Sequence, residues 1–337
     1  MRTLAITPAH VTDLDDSGIL CHDVRNPAQR NEVLARKGSH LSVAEMLALF
    51  DRGVDELHLA VPDADDVGED AAAARLAAAV AGRGVEHSNA HFGQVSFLSA
   101  ARGMLRVDRT VLDCVNGYTD VLVLTGEPDR PVDTGMTLGV VKCAPLFLPE
   151  RTLRAIEALP NPALEVEPFR PLRVGMVAQR DRLRGGLARA QTALSAALAW
   201  YGSSLETVIG AEASVEGLAA AYRQLLDAGA ELILAAGASG TDPLDMVFEG
   251  LRRAGGEVVQ IGIPMEPGTA CWVGRLGSAA VLGLASCELF GQPGALDLLF
   301  PALHTGESLD AALMRRLALG GLLLGPGRIA PYHAGAG

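Results

Sequence analysis

The sequence predicts an α/β protein: an open, mainly parallel sheet flanked by helices in the second half, preceded by a mixed α/β region. Three observations predict it. Short apolar runs alternate with helical segments between residues 173 and 261, a βαβαβαβ order that implies a parallel sheet with right-handed crossovers. The alternation in the first half is less regular. A length of 337 residues suits two domains, each large enough to bury a core.

In the first half, Ser42-Val-Ala-Glu45 is a capping-box pattern and predicts a helix running to residue 50. A strand is expected at 57–61 and an Ala-rich helix at 69–81. The polar stretch 85–96 reads as a loop. Residues 120–125 and 136–148 read as strand and extended run, and 151–159 as a helix. Pro160-Asn-Pro162 and Pro168-Phe-Arg-Pro171 mark a linker. The second half then gives strands at 173–178, 204–209, 231–236 and 257–261, with helices at 188–201, 215–228 and 246–254. A hairpin is expected around Gly274-Arg-Leu-Gly277, followed by helices at 295–304 and 308–319 and a frayed tail from 325. The expected domains are 1–165, mixed α/β; 171–305, α/β; and 306–337, a terminal helix and tail.

Composition narrows the function. Hydrophobic residues make up 49% and charged residues 20%, which excludes a disordered chain. The net charge of -12 and pI near 5.1 argue against a nucleic-acid partner. The acidity is uneven. Residues 1–170 carry 16 cations and 25 carboxylates, whereas residues 171–337 carry 12 and 15. The second half is therefore nearly neutral and compatible with a small anion. No apolar run approaches the roughly 18 residues of a membrane span, and the N-terminus has no secretory h-region. Five cysteines without CxxC spacing predict reduced thiols and a cytoplasmic protein. The eight histidines form no ligand pair on a helix: His87 and His91 are four apart but lie in the stretch read as a loop. No GxGxxG follows the strand at 173–178, and no GxxxxGK[ST] or GxSxG occurs, so none of the usual dinucleotide, P-loop or nucleophile-elbow signatures is present.

Ligands of an open parallel sheet bind at the carboxyl ends of its strands. The loop Gly237-Ala238-Ser239-Gly240-Thr241-Asp242 has that position. Its small residues allow backbone N–H groups to approach an anion at a helix N-terminus. Asp242 and Asp245 would repel a bare phosphate but suit a magnesium-bridged one. The plainer reading is a Gly-rich turn in which one of these aspartates caps the helix. Two further loops share this edge, Pro264-Met-Glu-Pro267-Gly268-Thr269 and Gly283-Leu-Ala-Ser286-Cys287. The segment 179–189 adds four arginines after the first strand, a phosphate-facing loop or simply a solvated one.

Taken in order, these motifs resemble the molybdopterin-binding domain shared by molybdopterin adenylyltransferases and molybdopterin molybdenumtransferases. The family pattern is an apolar strand, a Gly-Gly-[Thr/Ser]-Gly loop, an Asp before a helix, a strand, a Pro-Gly loop, a hairpin and a Gly-Leu-Pro-Gly-Asn-Pro turn. The likeness spans residues 172–304. In the first half, Lys37-Gly38 and Asp66-Val-Gly-Glu69-Asp70 are similar to bacterial proteins that carry this domain after a separate N-terminal region. Departures fall on the site: Ala238 replaces the second glycine, Ala270 a proline, and Ser286-Cys287-Glu288 the Gly-Asn-Pro turn. Glu212 lies near the acidic position after the second strand without matching it.

The resemblance implies a cytoplasmic protein that binds molybdopterin or the molybdenum cofactor, acting in its biosynthesis, maturation or delivery to molybdoenzymes. It implies a phosphorylated pterin as small-molecule partner and a homo-oligomer. Expected cofactor-binding residues are Gly237, Ala238, Ser239, Gly240, Thr241, Pro267, Gly268, Gly283, Ser286 and Cys287. As an enzyme, the protein would transfer adenylyl or insert metal, using ATP and Mg2+ held by Asp242 and Asp245. As a carrier or sensor, it would bind without turnover. An unrelated nucleotide-using doubly wound enzyme is the alternative outside the family, against which the missing glycine fingerprint counts.

Overall fold

The computed structural model describes residues 1–11, 18–179, 183, 186–237, 240 and 242–322. The chain is α/β throughout and divides into two compact units. The first comprises Met1–Ala100, Val107–Glu127 and Gly135–Glu165, and the second Ala101–Arg106, Pro128–Thr134 and Val166–Gly337. No helix among the described residues is long and apolar enough to cross a membrane.

In the first unit the capping box forms as expected. Ser42 Oγ accepts from Glu45 N at 3.3 Å, and Glu45 Oε2 accepts from Ser42 N at 2.8 Å, opening helix Val43–Asp51. The sheets here are small and antiparallel. Leu57–Val61 lies between Arg2–Ile6 and Ile19–Leu20, and a four-stranded sheet runs in the order Val121–Thr125, Thr137–Cys143, Gln94–Ser99, Val85–His87. The last two strands occupy the stretch expected to be a loop. Its polar residues alternate with Val95, Phe97 and Ser99, which are buried, so the period-2 pattern was present but diluted. The cues Lys37 and Glu69 meet in an ion pair of 2.6 Å at the start of helix Glu69–Val80. Asp70 on the same turn accepts from Gly93 N at 2.7 Å.

The second unit is built on a six-stranded sheet. Its order is Ser204–Ala211, Arg173–Gln179, Leu232–Ala236, Ala279–Gly283, Trp272–Leu276, Glu257–Ile261. The first four are parallel neighbours, and Trp272–Leu276 runs antiparallel between Ala279–Gly283 and Glu257–Ile261. The fourth strand of the expected parallel run, Glu257–Ile261, therefore pairs with the hairpin strand and not with another parallel one. The hairpin inserts between it and Leu232–Ala236. The linker expected over 160–171 also contains a strand, Leu164–Pro168, in a three-stranded sheet with Gly103–Val107 and Arg130–Val132. Its Leu164 and Val166 are buried between polar neighbours, alternation that the flanking prolines obscured.

Both faces of the large sheet are covered. Met176, Ala178, Leu232 and Leu234 pack with helices Leu187–Trp200, Leu296–His304 and Ala311–Ala318. Val177, Ile233 and Ala235 pack with Val215–Asp227 and Met246–Arg253. This is why the strands read as continuous apolar runs.

One histidine belongs to this core. His304 is fully buried and stacks on Tyr201, with ring centroids 4.4 Å apart. Its Nδ1 lies 2.7 Å from Phe300 O and its Nε2 2.9 Å from Ser203 Oγ, which accepts from Leu172 N at 2.8 Å. Burial, aided by the charge of Arg170, pushes its pKa down to about 4. The unfolded chain, with an ordinary value near 6.5, takes up this proton first as pH falls. The stabilisation by neutral His304 is thus complete above pH 6.5 and is lost between 6.5 and 4. At about 1.4 kcal/mol per unit, the loss is about 3 kcal/mol. Urea unfolding of the wild type should show this fall, and His304→Gln should flatten it. Parallel pH profiles for the two proteins would contradict the assignment.

Candidate functional site

Three loops meet at the carboxyl ends of the parallel strands. The first leaves Leu232–Ala236 through Gly237, whose φ of +94° lies in the region glycine tolerates. A β-carbon on Gly240 would overlap the carbonyl oxygen of Ala270. The missing side chain thus lets the backbone at Gly240 pack directly against the backbone of Ala270. That second loop is closed by Ile263 N donating to Thr269 O at 3.2 Å and Cys271 N donating to Gly268 O at 2.9 Å, and it contains a cis Glu266-Pro267 bond. Gly268, at φ +125°, faces the third loop: a β-carbon there would sit 2.9 Å from Glu288 Oε1 and 2.5 Å from Ala295 Cβ. The sequence-expected residues Gly237, Gly240, Pro267 and Gly268 therefore belong to one junction.

Asp245 caps helix Met246–Arg253. Its Oδ1 accepts from Val247 N at 3.1 Å, and Gln179 Nε2 lies 3.5 Å from the same oxygen. Both side chains are almost completely buried. This ties the end of the first strand to the start of the helix, and the carboxylate is committed to structure. Beside it, burial holds the Tyr222 phenol well above its usual range, with the Asp245 charge adding to the effect. Asp242 is exposed and accepts from Leu244 N at 3.0 Å, an Asx-turn that shapes the loop.

Gly283 has a packing role. It lies opposite Trp272 in the hairpin, and the indole occupies the space of a side chain. Ser286 and Cys287 open the short helix Ser286–Leu289. Their side chains, together with Ala238, Ser239, Thr241 and most of the arginine-rich segment, lie outside the described residues. Of that segment, Arg189 stacks its guanidinium 4.9 Å from the Phe290 ring centroid. Among the described residues, no group of three or more His, Cys, Asp or Glu could hold a metal ion. Cys271 is buried, and Ala285 N donates to its sulfur at 3.3 Å.

Sequence reasoning missed two residues. Gln179 closes an otherwise apolar strand, and Glu288 is a buried carboxylate, 1% exposed, in the third loop. A polar residue at the carboxyl end of an apolar run was the available signal for each. A separate groove of about 720 Å³ lies at the opposite, amino ends of the strands. Its charges largely pair with one another, as in Arg170–Glu231 at 3.2 Å and Arg275–Glu257.

No family model and no curated protein matches the chain. Among solved structures, the protein CinA of unknown function from Thermoplasma acidophilum is 15% identical, with a TM-score of 0.29 over 34% of this chain and 88% of that one. A putative molybdenum cofactor biosynthesis protein from Corynebacterium diphtheriae is 16% identical, with a TM-score of 0.29 over 42% and 100%. A molybdopterin biosynthesis MoeA protein from Pyrococcus horikosii is 12% identical, with a TM-score of 0.28 over 90% and 76%. TM-scores this low leave function to the residues themselves.

Asp245→Ala removes the helix cap and the acceptor facing Gln179. It should lower unfolding free energy by about 1–2 kcal/mol and speed amide exchange at Val247. Asp245→Asn, which keeps an oxygen acceptor, should retain most of that stability. Equal losses in the two variants would show that the charge, not the cap, is what matters.

Proposed function

We propose that the second unit binds a phosphorylated pterin of the molybdopterin type, and that the protein acts in the biosynthesis, maturation or delivery of the molybdenum cofactor. The single observation carrying this reading is the junction of the three loops. The residues on which the sequence resemblance rests, Gly237, Gly240, Asp245 and Gly268, meet at the carboxyl ends of parallel strands, where such sheets bind ligands. Backbone N–H groups of the 237–241 loop hold the phosphate at the start of Met246–Arg253. Asp245 fixes the loop and the helix against each other. The near-neutral balance of the second half leaves room for an anionic ligand. The protein is cytoplasmic in this reading, associates with copies of itself, and passes its ligand to a molybdoenzyme.

Binding without turnover is the form of this reading that the carboxylates favour. In phosphoryl or adenylyl transfer, charge neutralisation around the phosphates carries most of the catalysis, and Mg2+ needs free carboxylate oxygens. Asp245 Oδ1 is already engaged twice, and Asp242 shapes its own turn. A transferase form would need both to turn toward ATP-Mg2+.

Titration with molybdopterin should give saturable binding at one site per chain. Incubation with ATP, Mg2+ and molybdate should then give neither adenylylated pterin nor inserted metal. Absence of saturable binding would reject the proposal. Turnover abolished by Asp242→Ala would replace the carrier reading with the transferase one.

A further inference from the structure

Glu288 lies in the short helix Ser286–Leu289 that follows the third loop, and it is 1% exposed. Its Oε1 accepts from Ala295 N at 3.1 Å. Its Oε2 is equally buried and has no hydrogen-bond partner among the described residues. A helix-capping role needs one oxygen only, and Asn or Ser would supply it without a second buried acceptor. Buried carboxylate oxygens left without a donor are costly, and native structures almost always provide a partner. An atom of this kind beside a ligand loop is accounted for if the ligand brings the donor.

Backbone packs closely around this carboxylate. The carboxylate is flanked by two glycines, Gly268 and Gly294, and Pro267-Gly268 belongs to the loop that also meets Gly240 through Ala270. The chemistry excludes a phosphate here, since acceptor would face acceptor. It calls for adjacent N–H donors on a flat edge. A carboxylate matches such an edge with both oxygens, because Oε1 keeps a second lone pair after bonding Ala295 N. The 2-amino group and N3–H of a pterin form that edge.

We propose that Glu288 is the specificity residue for the aminopyrimidinone edge of the pterin, with Oε2 accepting from the 2-amino group and Oε1 from N3–H. This rests on the pterin-binding reading above. Donors at the 237–241 loop and an acceptor at Glu288 then give the site a polarity, phosphate at one end and ring edge at the other.

The test compares 6-hydroxymethylpterin phosphate with its lumazine counterpart, in which an oxo group replaces the 2-amino group. The wild type should prefer the pterin by tenfold or more. Glu288→Gln keeps an oxygen acceptor but places an NH2 donor beside it, so the preference should fall to within threefold or reverse. If the wild type binds the pterin but does not discriminate, or if Glu288→Gln keeps the preference, the inference is overturned while the binding reading stands. If the wild type binds neither compound nor molybdopterin, both fall. Should Glu288→Gln not fold, Glu288→Asp decides. It should weaken pterin phosphate at least fivefold and leave inorganic phosphate unchanged, and unchanged pterin affinity overturns the proposal.

Discussion

A sheet buried on both faces can present polar groups only at its strand ends. The inner strands of the second unit meet this constraint: Met176, Ala178, Leu232 and Leu234 face one helical layer, and Val177, Ile233 and Ala235 the other. Any chemistry on this sheet must emerge where the strands stop. At the amino ends it is largely arginines and glutamates pairing with one another. At the carboxyl ends it is glycines, the three buried carboxylates Asp245, Glu288 and Asp297, and a buried amide. The difference follows from the direction of the strands, because there the crossovers place helix N-termini and their unpaired N–H groups.

Two of these buried carboxylates, Asp245 and Glu288, are not equivalent. Asp245 is engaged by a backbone N–H and a glutamine amide, and its work is to hold the strand, loop and helix in register. Glu288 is engaged through one oxygen and leaves the other bare. A framework residue is expected to be satisfied in the free protein, whereas a residue that meets a ligand can carry an unmet bond until the ligand arrives. The glycines divide similarly. Gly240 and Gly268 bring loops together, while Gly283 makes room for Trp272.

Much of the fold was legible because local signals agreed with it. The Ser42–Glu45 capping box, the apolar run ending at Ala236 and the helices after each strand follow directly from propensity and periodicity. The strands Gln94–Ser99 and Leu164–Pro168 were not legible, since serines, glutamates and prolines diluted their alternation. Nor was the place of Glu257–Ile261: strand order depends on which neighbour the hairpin reaches, and that is a long-range contact. For the site, the spacing of Gly237, Gly240 and Asp245 identified the loop, but no spacing could show Asp245 committed to its helix. Glu288 was legible only as a departure from the family turn, because its meaning depends on what surrounds it in three dimensions.

A crystal structure with molybdopterin bound tests the central claim most directly. The account predicts the terminal phosphate on the backbone N–H groups of the 237–241 loop and the pterin ring extending toward the loop of Gly268 and Glu288. Molybdopterin seated instead in the groove at the amino ends of the strands, between Arg173 and Arg275, would contradict it.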